Sequence, residues 1–183
     1  MLSTEHNQQL LQIARNSIAH GLKYRVAPDI TQTHYPEPLH QMLATFVTLK
    51  SQGRLRGCIG TTQAISSLAI SVNNNAYSSA FRDPRFKPLT SDEFDKIHIS
   101  ISILTPSTPV AFSCEYDLFA QLRPGVDGLI IEKSNHRATF LPSVWEQLPR
   151  PEYFLRQLKL KAGMQPNDIP ERAWIYQSIY VEE

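Results

Sequence analysis

The sequence predicts an α+β fold: a mainly antiparallel sheet flanked by helices, in a single two-lobed domain over residues 1–183 with no feature that marks the boundary between lobes. Three observations predict it. Leu11, Ala14, Ile18 and Leu22 recur at helical spacing. Ile97, Ile99, Ile101 and Ile103 alternate strictly with His98, Ser100 and Ser102, which is the pattern of a strand. Two further stretches read as hairpins, and hairpins pair their strands antiparallel.

Taken in order, the first element is an amphipathic helix, with Ser3 or Thr4 as cap candidates and Gly21 near its end. The proline-rich APDITQTHYPEPLH has no periodicity and is an irregular surface connection. ATFVTLKSQGRLRGCI is a hairpin. A loop of Ser51, Gln52 and Gly53, with Gly53 left-handed, puts Val47, Leu49, Leu55 and Ile59 on one face. Phe46, Thr48, Arg56 and Cys58 then share the other, whereas a two-residue loop mixes the two sets. From about Ala64 to Phe81, Ile65, Leu68, Val72, Ala76 and Ala80 mark a second helix, with Asn73, Asn74 and Asn75 expected mostly on its wet face. Pro84 ends it. The isoleucine strand follows, then a short helix in EYDLFAQL and a hairpin in GLIIEKSNHRATFL turning near Ser134 and Asn135. Pro151 and Gly163 bracket a helix with the usual asymmetry, and AWIYQSIYV is a final strand.

Composition narrows the function. A net charge of +1 lacks the basic excess of a general nucleic-acid binder, leaving only a local basic patch. The N-terminus has no basic region followed by an apolar run, and no stretch approaches the roughly 18 apolar residues of a membrane span. Cys58 and Cys114 are far apart and form no Cys-x-x-Cys pair, which fits neither a zinc motif nor a disulfide framework and suits the cytoplasm. There is no Gly-Lys-Ser/Thr ending and no Gly-x-Gly-x-x-Gly, so a nucleotide fold is a weak reading, and His34 and His40 in the proline-rich loop match no metal-site spacing; no cofactor and no metal is expected.

Chemistry concentrates in GRLRGCIG. Thiolates gain from nearby cations and from helix N-termini. Arg56 faces the side of Cys58 in the preferred register, and a helix is expected a few residues on, so the amides near Gly60 could hold an oxyanion or phosphate. Gly57 and Gly60 weaken a strand unless a neighbour or a ligand must come close. The alternative is a small cysteine in a tight packing spot. His98 and His136, each on an expected strand, are the candidate bases, though nothing in the sequence fixes their distance to Cys58. Lys50, Arg54 and Arg56, then Arg82, Arg85 and Lys87, form two basic groups that are either anion-binding or solvated. Asp83 is expected to pair with Arg85 or to cap the turn.

FVTLKSQGRLRGCIGT and DPRFKPL, followed in order by ISILTP, GVDGLII, RATFLPSVW and FLRQLKLKAG, closely resemble the AMMECR-type family, whose bacterial and archaeal members are called AmmeMemoRadiSam system protein A. The resemblance runs from Phe46 almost to the end. It implies a two-lobed α+β domain and association with a Memo-type protein and a radical SAM protein, and it carries no established activity. Its hallmark maps onto Leu55, Arg56, Gly57, Cys58, Ile59 and Gly60, then Asp83, Pro84, Arg85 and Phe86. Two positions depart from the family pattern: Ala44-Thr45, where Gly-Ala is frequent, and Lys159, where many microbial members have a cysteine. The second departure removes a helper thiol for Cys58. The reading that follows is a cytoplasmic enzyme or enzyme component acting on a small anionic metabolite, with Cys58 as nucleophile and Arg56, Gly57, Gly60 and Arg85 as ligand-binding residues. The alternative is a non-catalytic adaptor working with the Memo-type and radical SAM proteins; an RNA-binding module is a weaker third.

Overall fold

A computed structural model describes residues 2–183, the side chain of Gln32 excepted. The chain divides into two compact units: one runs to Ile103 and takes back Ile179–Glu183, and the other is Leu104–Ser178. Both are α+β with a four-stranded sheet, which is the fold class the sequence predicts.

The first unit opens with helix α1, Thr4–Tyr24, capped by Ser3, whose hydroxyl accepts from the His6 amide while the His6 ring accepts from Ser3. After two 3-10 turns, β1 (Thr45–Ser51) and β2 (Arg54–Gly60) form the expected hairpin. Helix α2 (Leu68–Phe81) and the short α3 (Ser91–Phe94) lead to β3 (Ile97–Leu104). With β8 (Ser178–Glu182), the sheet order is β2-β1-β3-β8, so β2 is an edge. Val47, Leu49, Ile97, Ile99, Ile101 and Ile103 join Leu10, Ile18 and Val72 in one core, which fixes the helix-covered face of the sheet.

The hairpin departs from expectation in an informative way. Gln52 and Gly53 both have positive φ, 51° and 74°, and Ser51 pairs with Arg54, so the loop has two residues rather than three. Lys50 pairs with Leu55 but Leu49 pairs with Gly57, which leaves Arg56 as a β-bulge. The extra residue restores the parity that a two-residue loop would lose. Val47, Gly57 and Ile59 fall on the core side, with Thr48 and Cys58 on the other, while Leu55 is displaced to an exposed position.

Helix α2 starts at Leu68 rather than near Ala64, and Ile65 is exposed in the preceding loop. It packs against α1 on one side and β1 and β2 on the other, so it has little wet face. Asn73 is therefore buried, contrary to expectation: its carbonyl accepts from Ser17 and its amide donates to the Pro28 carbonyl. The amide of Asn75 donates to the carbonyl and hydroxyl of Thr45.

The second unit contains β4 (Thr108–Val110), α4 (Glu115–Gln121), β5 (Gly128–Lys133), β6 (His136–Phe140), α5 (Pro151–Ala162) and β7 (Arg172–Tyr176), with sheet order β4-β7-β5-β6. Its core gathers Leu118, Leu129, Ile131, Trp145, Phe154, Leu155 and Leu158, with Trp145 and Phe154 stacked at 3.7 Å. Lys159 is buried there, paired with Glu115 at 2.5 Å and donating to the carbonyls of Pro166 and Asp168. The single final strand expected from AWIYQSIYV is two strands, one in each sheet. They part at Gln177, whose amide donates to the Thr105 hydroxyl and whose carbonyl accepts from the Thr105 amide.

Candidate functional site

Cys58 lies on the sheet face away from the α1–α2 core, half-buried, on the edge strand. Two devices fix its backbone. On the core side, Gly57 lets α2 approach: a Cβ there would meet the Ser79 carbonyl oxygen at 2.1 Å. The Ser79 hydroxyl accepts from the Ile59 amide at 2.8 Å and donates to the Val47 carbonyl at 2.7 Å, splicing the helix into the ladder. On the open edge, where a neighbouring strand would bond, the loop after α2 supplies a substitute. Asp83 accepts from the Cys58 amide at 2.8 Å, and Arg85 Nη2 donates to the Cys58 carbonyl at 3.1 Å.

Asp83 and Arg85 hold each other as expected, through Nε–Oδ1 and Nη2–Oδ2 bonds of 2.9 and 2.7 Å, and Asp83 also caps the Arg85 amide. The Asp83 side chain is 1% exposed. The Arg85 hydrogen bonds, helped by the Cys58 and Arg85 amides, outweigh its desolvation and hold its carboxyl well below the usual carboxylate range. Arg85 is pushed up, first by its hydrogen bond to Asp83 and to a smaller extent by Cys58. Its side chain is 53% exposed, and Nη1 makes no hydrogen bond to a described residue.

Thr48 Oγ1 donates to Sγ at 3.2 Å, and the Arg85 guanidinium also interacts with the Cys58 side chain. Cys58, Thr48 and Ser100 stand opposite one another across three strands and share one face. His98 instead stands opposite Lys50, with Nε2 3.4 Å from Glu182, and His136 Nδ1 lies 3.0 Å from the Ala162 carbonyl. Neither candidate base is bonded to Cys58.

Three sequence-derived candidates take other roles. Arg56, expected beside Cys58, is the bulged residue. Its Nε and Nη2 donate to Glu93 at 2.7 and 3.0 Å, and Nη2 also reaches the Lys87 carbonyl. Only 14% of its side chain is exposed. Arg56 lowers the Glu93 carboxyl to about 2, and Glu93 also closes the capping box of α3 on Thr90. Gly60 is not at a helix start, since α2 begins at Leu68; a Cβ on it would meet the Thr45 carbonyl oxygen at 2.3 Å. The space freed at Gly57 and Gly60 is thus taken by the chain itself. Cys58, Asp83 and Arg85 are brought together, whereas Arg56 is committed to α3. Thr48 was placed on the right face by the hairpin pattern but not singled out. Glu93 was missed, and the Thr-x-x-Glu capping box at Thr90 was its signal.

With that geometry in place, comparison with known proteins adds lineage. The AMMECR1 family profile matches residues 11–181. The chain belongs to the AMMECR1 family. A protein of Methanothermobacter thermautotrophicus is 35% identical, over 91% of this chain and 86% of its own. One of Methanocaldococcus jannaschii is 33% identical over 91% of this chain and 83% of its own. The crystal structure of uncharacterised protein PH0010 from Pyrococcus horikoshii superposes with a TM-score of 0.89 at 29% identity, covering 100% of this chain and 93% of that one. Family membership and fold therefore agree with the resemblance read from the motifs. Among the described residues no helix is long and apolar enough to cross a membrane.

Proposed function

We propose that this protein is an enzyme, or a component of one, that uses the Cys58 thiolate as nucleophile against a small anionic electrophile, in the reducing cytoplasm. One observation carries the reading. Arg85, anchored by buried Asp83, holds the Cys58 carbonyl and keeps a largely exposed guanidinium at the residue whose half-buried thiol accepts a hydrogen bond from Thr48. The guanidinium supplies the counter-charge for the substrate, a role expected of Arg56 and taken over by Arg85. Both cysteines are free thiols, which supports a reducing compartment.

A second reading, a non-catalytic adaptor for Memo-type and radical SAM proteins, is favoured by the way Arg56, Gly57 and Gly60 are absorbed into the fold. Paired alkylating probes separate the two. Iodoacetate and iodoacetamide differ by a charge, so the ratio of their rates at Cys58 reads the Arg85 field. That ratio should exceed the ratio at exposed Cys114 by about tenfold at low salt and shrink as salt is added. Arg85→Gln should abolish the preference, and Arg85→Lys should restore part of it. Equal ratios at the two cysteines would remove the anion site and leave the adaptor, to be read by co-purification with the two partner proteins.

A further inference from the structure

The loop that follows α2 runs beside β2: Asp83 accepts from the Cys58 amide, and further on the Lys87 carbonyl accepts from Arg56 Nη2. The two basic groups of the sequence are thereby brought together. Arg82 and Lys87 flank this loop, Arg54 begins β2, and Lys50 stands opposite Leu55 on the paired strand. All four cations are exposed, and none forms an ion pair with a described residue. The second unit is different: Arg123, Lys133, Arg137, Arg150, Lys159 and Arg172 each face a carboxylate. Clustered like charges repel one another, and a negative partner offsets that repulsion.

The surroundings say what kind of partner fits. Leu55 is exposed directly opposite Lys50, so an apolar point sits among the cations. Single-stranded nucleic acid is held by cations together with open aromatic faces on which bases stack. The rings in this region, Tyr77 and Phe86, are buried or half-buried, with the guanidiniums of Arg82 and Arg85 over them. The acids in this region are Asp83 and Glu93, bound to Arg85 and Arg56, and exposed Asp92 and Asp95 at α3. Those two exposed carboxylates oppose a long uniform polyanion but leave room for a short one. From Arg54 to Cys58 the strand covers about 13 Å, the length of roughly four extended residues. The Cys58 amide and carbonyl are already taken by Asp83 and Arg85, so recognition there runs through side chains and not through an added strand.

We propose that Lys50, Arg54, Arg82 and Lys87, with Leu55 among them, form a docking ridge for a short acidic segment of a partner protein that carries an apolar residue between its carboxylates. The ridge uses neither the Cys58 thiol nor the Arg85 guanidinium, so it stands apart from the reading of Cys58 as a nucleophile. Charge complementarity draws the acidic segment to the edge and sets the salt dependence of the encounter. Leu55 adds the contact that charge alone does not supply, and its position follows from the bulge at Arg56 that displaced it from the core face.

The test is fluorescence anisotropy of a labelled peptide, Glu-Glu-Asp-Leu-Asp-Glu-Glu with blocked ends, titrated with the full chain at neutral pH. Binding should weaken by about tenfold between about 25 and 150 mM salt. Joint replacement by Lys50→Gln, Arg54→Gln and Lys87→Gln should weaken it by at least about tenfold at low salt. The charge-keeping set Lys50→Arg, Arg54→Lys and Lys87→Arg should retain binding, so a variant that misfolds cannot mimic the result. Leu55→Ser should weaken binding by about threefold while keeping its salt dependence. If the peptide does not bind while Cys58 keeps its preference for iodoacetate, the ridge falls and the nucleophile reading stands. Loss of both would overturn both. Binding that the glutamine set leaves unchanged would overturn the ridge. Tighter binding of heptauridylate than of the peptide at the same salt would overturn the acidic protein segment in favour of nucleic acid.

Discussion

At Gly57 a single methyl group would lie 2.1 Å from the carbonyl oxygen of Ser79, an atom of helix backbone that cannot rotate away. Gly53 is the opposite case: nothing lies within 4 Å of its missing Cβ, but its φ of 74° is left-handed. Two alanine substitutions should therefore separate close packing from backbone conformation. Gly57→Ala should cost about 3 kcal/mol or more, because α2 must shift off β2. Gly53→Ala should cost about 1–2 kcal/mol, the price of the left-handed region alone. Urea unfolding measures both, and a Gly57→Ala protein as stable as the parent would refute the close approach. The sequence showed that something comes close at Gly57 and Gly60, because glycine in a strand is otherwise a liability. It could not show that the close neighbour is the chain's own backbone, because Ser79 and Thr45 reach these glycines only through tertiary packing.

The hairpin and α3 form one element-scale unit through Arg56. A two-residue turn alone would flip every later side chain of β2, and the bulge at Arg56 flips them back. The alternation of Val47, Leu49 and Ile59 was therefore legible while the loop length was not, since a three-residue loop and a two-residue loop plus a bulge give the same faces beyond the bulge. Being extra, Arg56 is free of the ladder and turns to Glu93. The Glu93 carboxyl falls from 4.5 to about 2 in the folded protein. A carboxyl depressed on folding contributes stability that is complete above its unfolded value and lost as pH falls through the folded one. The tether should therefore weaken between pH 4.5 and about 2. Glu93→Gln should destabilise the protein by about 1–2 kcal/mol at neutral pH, discounted for the partial exposure of Glu93. The gap to the parent should close as the pH falls to about 2, as followed by urea unfolding along a pH series. A gap that stays constant with pH would show that Glu93 acts through its capping box and not through its charge.

At the scale of the whole chain, the α+β class was legible because helical stripes and strict alternation are local signals. The crossover was not. AWIYQSIYV has no glycine or proline to mark a break, and the switch from one sheet to the other depends on Thr105, which brackets Gln177 with two hydrogen bonds of 2.8 Å. That same pair brings together the two ends of the segment Leu104–Ser178. A segment with its own core and adjoining ends has what a small domain needs to fold alone. Its core of Leu118, Leu129, Ile131, Trp145, Phe154 and Leu158 draws on α4, β5, the 3-10 turn Pro142–Glu146 and α5, all within those limits. Lys159 ties α5 to α4 through Glu115 and to the following loop through two carbonyls, again within the segment. Residues 104–178 expressed alone should therefore unfold in a single cooperative urea transition, with far-UV circular dichroism of mixed helix and strand. Lys159→Ala in that fragment leaves Glu115 and two carbonyls without their donor and should lower its stability by about 2–3 kcal/mol. A fragment that lacks a cooperative transition, at concentrations where it stays monomeric, would show that this unit owes its stability to the rest of the chain despite the closure at Thr105 and Gln177.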